Sequence, residues 1–118
     1  MNLKIGHLIY EIRPLTKDTP KPTAEGEYDG VCYNGSENTI YIKADQTPAE
    51  QVRILLHELI HAAWYAFRLP EKKLTEEEIC VALESPLAII LRDNPGLGKL
   101  VASAFELDVP IVSAQGYK

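Results

Sequence analysis

Apolar residues recur at intervals of three and four through the middle of the chain. Val52, Leu55, Leu56, Leu59, Ala63 and Phe67 fall on one side of a helix, the side expected to pack on a sheet. Thr47-Pro48-Ala49-Glu50 ahead of them forms a capping box with proline at the first helical position, where a missing N–H costs nothing. Arg68 and Pro70 close the run, so the pattern predicts a helix over residues 48 to 67. A second helix starts at another capping box, Thr75-Glu76-Glu77-Glu78, and carries Ile79, Cys80, Leu83, Leu87, Ile90 and Leu91 on the face expected to be buried. Pro86 interrupts it and predicts a kink, or a restart with Ser85 as cap. Arg92-Asp93-Asn94-Pro95-Gly96 ends the element, and a short helix over residues 98 to 105 follows, with Leu97, Leu100, Val101 and Phe105 toward the core.

Upstream the period changes from helical to strand-like. Residues 3 to 13 are rich in β-formers with partial alternation, and Gly6 marks a turn between two short strands that takes His7 with it. Pro14, Pro20, Pro22 and Gly26 make residues 14 to 29 a long surface loop. Residues 30–33 and 39–43 read as a hairpin, with Asn34-Gly35 and its neighbours through Asn38 supplying the positive φ angles of the turn. Val109-Pro110-Ile111-Val112 reads as an edge strand near the C-terminus. Strands first and helices afterwards give an α+β class, and 118 residues suffice for one core, hence a single domain over residues 1–118.

Composition narrows the function classes. The chain is 46% hydrophobic and 25% charged, ordinary for a globular domain, and its net charge of −5 argues against a nucleic-acid partner. The sequence shows no apolar run of bilayer length and no basic segment followed by an apolar one, so no membrane association and a cytoplasmic location are expected. Cys32 and Cys80 lack the spacing of a metal knuckle and are expected to be free thiols.

The chemistry is concentrated in His57-Glu58-Leu59-Ile60-His61, which uses two of the three histidines. Positions i and i+4 of a helix share a face one turn apart, so both imidazoles can reach one ion while Glu58 stands beside it. Apart from His61, no titratable charge occurs between Leu59 and Phe67 or between Ile54 and Leu56. Such flanks suit a site helix held against a core better than a solvated surface helix. Neutral imidazoles bind Zn2+ well, and a catalytic zinc commonly takes three protein ligands. The motif resembles that of the glutamate-zincin metallopeptidases, which implies as third ligand an acid on the following helix, from among Glu71, Glu76, Glu77, Glu78 and Glu84. Helical geometry ranks Glu76 first, Glu77 as the alternative and Glu84 after them, with Glu78 reserved as the capping partner of Thr75. Tyr33, Tyr41 and Tyr65 are further polar candidates, more readily explained as packing residues.

The motif, its uncharged helix and the preceding hairpin resemble the zincin metallopeptidases, and the acidic helix downstream is similar to their glutamate-zincin branch. The order of elements, from the hairpin through Leu55-Leu56-His57-Glu58 to Leu91-Arg92-Asp93-Asn94-Pro95, further resembles small phage and bacterial zincin-like proteins. The resemblance implies a minimal zincin-like domain: a small twisted β-sheet packed on the motif helix, and a second helix carrying the third metal ligand. It implies a peptidase acting on a peptide or protein substrate, with His57, His61 and Glu76 or Glu77 on zinc and Glu58 as general base. It also implies that the strand before the motif helix is an edge that pairs with extended substrate, through Thr39, Ile40 and Tyr41. The family's further acid one turn after the ligand is not matched: Cys80 follows Glu76 by four residues and Val81 follows Glu77. A zincin-fold binding or regulatory protein, with a structural metal or none, is the competing expectation. Oligomeric state is left open.

Overall fold

A computed structural model describes residues 1–21 and 28–113. The elements are β1 (Asn2–Ile5), β2 (Leu8–Leu15), β3 (Gly30–Tyr33), β4 (Thr39–Lys43), α1 (Pro48–Ala66), α2 (Glu76–Asp93) and α3 (Leu97–Glu106), an α+β arrangement as expected. Residues 22–27 of the anticipated loop, and 114–118 of the tail, lie outside the described residues.

The strands form one mixed sheet in the order β1-β2-β4-β3. Gly6, at φ +62°, turns β1 into β2, and the two pair antiparallel with Leu3 opposite Tyr10. β2 continues through Pro14, where a loop was expected, because it lies parallel to β4 with Pro14 beside Ile42. β3 and β4 form the anticipated hairpin, Cys32 opposite Ile40. Alternation puts Leu3, Ile5, Tyr10, Ile12, Ile40 and Ile42 on one face, and all six are buried in a single core with Ile54, Leu55, Leu59, Ala62 and Ala63 of α1. Each large aliphatic removed from water there stabilises the fold by about 2 kcal/mol before entropy is counted.

β4 is an interior strand, paired with β2 on one side and β3 on the other. Thr39, Ile40 and Tyr41 are therefore not an edge for an extended substrate; their backbone groups are committed to neighbouring strands and their side chains are buried. The edges of the sheet are β1 and β3. At β1, Asn94 takes the place of another strand: its Oδ1 accepts from the Lys4 N–H at 2.8 Å and its Nδ2 donates to the Lys4 carbonyl at 2.7 Å.

α1 begins at Thr47, whose hydroxyl accepts the Glu50 N–H at 3.2 Å, and ends at Phe67, followed by Arg68 at φ 53°. Gln51 on its first turns is fully buried. Its amide oxygen accepts from Ile111 N at 2.7 Å and Val112 N at 3.2 Å, and its Nδ-equivalent Nε2 donates to Val112 O at 3.2 Å and Ala44 O at 3.3 Å. The segment read as a C-terminal edge strand joins no strand. Its Val109 N–H donates to the Ser103 carbonyl, and Ile111 and Val112 are met by the Gln51 side chain instead, an arrangement that no local pattern encodes.

α2 runs through Pro86 without restarting at Ser85. Pro86 and Ile90 are its only buried residues, whereas Ile79, Cys80, Leu87 and Leu91, expected in the core, are exposed. Among the described residues no helix is long and apolar enough to cross a membrane.

Candidate metal centre

α1 presents a solvent-facing strip of Arg53, Leu56, His57, Ile60, His61 and Tyr65, while the opposite side packs under the sheet. Leu56, expected with the packing residues, belongs to this outer strip at 43% exposure. The two imidazoles stack edge-on, with ring centroids 5.1 Å apart and planes at 65°. One donor atom from each of His57, Glu58 and His61 can be chosen so that all lie within 4.8 Å of one another. Donors around one zinc ion at bond lengths near 2.1 Å stand about 3.4 Å apart, so small side-chain rotations close the group on an ion. Two nitrogen donors and a carboxylate also form the donor chemistry that a borderline cation such as zinc accepts. The residues fit the ion that the motif implies.

Glu58 differs from its neighbours. It is 7% exposed, while the His57 side chain is 65% exposed, and their nearest nitrogen and oxygen are 3.9 Å apart. Burial lifts the Glu58 carboxyl above the ordinary glutamate range, and the positive fields of His57 and His61 draw it part of the way back. Its enclosure depends on Gly30. A Cβ at that position would stand 2.5 Å from Ile54 Cγ2 and 3.1 Å from Glu58 Cγ, so only glycine lets β3 lie this close to the helix.

Beyond Gly30, β3 brings a polar group toward the site. Asn34 Oδ1 accepts from the Tyr10 hydroxyl and from the Cys32 thiol, the latter at 3.6 Å. Cys32 is pushed up to about 12 by burial and by the nearby Glu58 carboxylate. Tyr65 continues the row of His57 and His61 by one turn, and its hydroxyl lies against Gly35, itself at φ +101°.

Comparison with protein-family models, curated proteins and solved structures returns no match. The site must be read from its own geometry.

His57, Glu58 and His61 are brought together; the other expected site residues are not. No acid of α2 joins the cluster: Glu76, Glu77 and Glu84 are all exposed, and the only group of three or more potential ligands among the described residues is His57, Glu58 and His61. The helical wheel placed Glu76 toward the core, but the first turns of α2 stay outside it and only Pro86 and Ile90 further along are buried. Tyr33 and Tyr41 lie on the far side of the sheet, where Tyr33 donates to the Pro20 carbonyl and Tyr41 to Glu37 Oε1 at 2.6 Å. Of the three tyrosines, Tyr65 alone shares the face of the histidines. His7 sits exposed in the β1–β2 turn, apart from the cluster. Sequence reasoning missed Gly30 and Cys32 as neighbours of Glu58. Gly30 carried a faint signal, a glycine opening a strand that has no turn to make there.

Proposed function

We propose that this chain is a zinc-dependent peptidase of the zincin kind. The observation that carries the reading is one buried glutamate held between two exposed imidazoles on a single helix face. His57 and His61 would hold the ion through neutral imidazole nitrogens. A bound zinc supplies Lewis acidity and lowers the pKa of water from about 15.7 to about 7. Glu58 would take the proton of the attacking water and return it to the departing amine. Its raised affinity for protons, set by burial, suits a group that must both accept and donate a proton. The exposed strip around the histidines leaves room for a peptide to approach, and β3 is the sheet edge nearest Glu58.

Metal analysis and turnover test this together. The purified chain is expected to bind about one equivalent of zinc, His57→Ala to lose it, and Glu58→Gln to keep it while losing cleavage of a quenched fluorescent peptide library. Less than about a tenth of an equivalent after zinc is added sinks the metal reading. Stoichiometric zinc without cleavage favours a second reading, a binding or regulatory module with a structural ion. The specific observation behind that alternative is that, with Glu58 kept as the base, no further potential ligand joins the two histidines among the described residues.

A further inference from the structure

Among the described residues two surfaces of the chain are left uncovered, and each carries what the other needs. On α2, Glu84 occupies the middle of an exposed apolar face, with Cys80 and Val81 one turn before it, Leu87 and Ala88 one turn after, and Leu91 beyond. Val81 is 56% exposed, Leu87 39% and Leu91 60%, on a helix that buries only Pro86 and Ile90. A contiguous apolar face of this kind on a small domain marks a contact surface. Covering it would also desolvate Glu84, which is unfavourable unless a cation meets the carboxylate. On α1, the exposed strip has the converse character: Leu56 at 43% and Ile60 at 41% border His57 and His61, a pair that, with Glu58 kept as the base, meets no further potential ligand among the described residues.

We propose that a second copy of this chain covers both surfaces and completes the metal centre in trans. The α2 helix of one protomer lies along the outer strip of α1 in its partner, and Glu84 supplies the third ligand to the ion held by His57 and His61 of that partner. The relation is reciprocal about a two-fold axis, so one pairing buries both apolar surfaces twice and builds two sites. This rests on the metal reading given above. It accounts for the absence of an α2 acid from the intrachain cluster and for a helix that is amphipathic yet uncovered.

Sedimentation of the full-length chain with and without zinc, alongside zinc titration, tests it. A dimer holding one zinc per chain is expected, with Glu84→Gln weakening zinc binding at least about tenfold. Leu87→Glu with Leu91→Glu, both at exposed positions, is expected to give a folded monomer with similarly weakened zinc. Mixing a His57→Ala/His61→Ala chain with a Glu84→Gln chain should recover one tight site per mixed dimer, although neither chain has one alone. A wild-type monomer that holds zinc tightly at every concentration overturns the trans arrangement and leaves the metal reading standing. Unchanged zinc affinity in Glu84→Gln does the same. A wild-type chain that takes up no zinc overturns both.

Discussion

α1 and α2 are close to being the same helix on paper. They have 19 and 18 residues, each begins at a threonine whose hydroxyl accepts a backbone N–H at 3.2 Å, and each carries acid in its first turn. Both also show an apolar face at helical spacing. Yet α1 buries nine residues, from Gln51 to Ala66, and α2 buries two. α1 lies across the sheet under β3 and β4, while α2 packs on the body chiefly at β1. Caps and periodicity are local and suffice to make a helix; burial needs an apolar surface opposite, and α1 lies across so much of the sheet's core face that α2 reaches the same core chiefly through Ile90.

The sharpest way to break that comparison is to truncate one leucine on each helix. In the metal-free chain Leu55→Ala, at 0% exposure, should cost about 3 kcal/mol in urea unfolding, and Leu87→Ala under about 0.5 kcal/mol. Equal costs would mean that α2 is buried after all. Gln51→Leu probes what anchors α1 to the chain's end. It strands the Ile111 and Val112 amides and should cost about 2 kcal/mol, with faster hydrogen exchange at those two amides.

Gly30→Ala tests how tightly α1 is covered at the site. The clash with Ile54 Cγ2 should cost about 1–2 kcal/mol, and displacement of Glu58 should lower the proposed peptidase activity more than the proposed zinc binding. The two caps offer a finer contrast. Thr47→Ala should lower global stability by about 1 kcal/mol, whereas Thr75→Ala should leave the urea midpoint nearly unchanged and raise exchange only in the first turns of α2.

The smallest effect on stability concerns Cys32, which sits where β3 covers α1. Its raised pKa means that thiolate is scarce at pH 8. Alkylation by iodoacetamide should then run on the order of 10³ slower than in the urea-unfolded chain, rising about tenfold per pH unit toward pH 12. Equal rates would show that β3 does not enclose the thiol.

Much of this architecture was legible because it is written in short-range pattern. The starts of α1 and α2 follow from Thr47 and Thr75, the β3–β4 hairpin from Asn34-Gly35, and the pairing of His57 with His61 from a spacing of four. The misreadings all concern long-range partners. β4 was taken for an edge because nothing in Thr39-Ile40-Tyr41 reveals that β2 arrives parallel alongside it. Val109-Pro110-Ile111-Val112 looked like a strand, whereas Ile111 and Val112 bond to a glutamine about sixty residues earlier. The apolar face of α2, expected to point inward, is mostly turned to solvent, with Ile79, Leu87 and Leu91 exposed and only Pro86 and Ile90 buried.

The motif shows the same division. By itself the sequence determined that His57, Glu58 and His61 share one region of a capped, uncharged helix, since 3.6 residues per turn leaves little freedom. Only the tertiary structure decided which of them is buried. Glu58 is enclosed because Gly30 lets β3 close on α1, and the histidines stay open because no element of the same chain crosses them among the described residues. Helical geometry is a property of neighbours along the chain, whereas desolvation of a carboxylate depends on how closely a distant strand can approach.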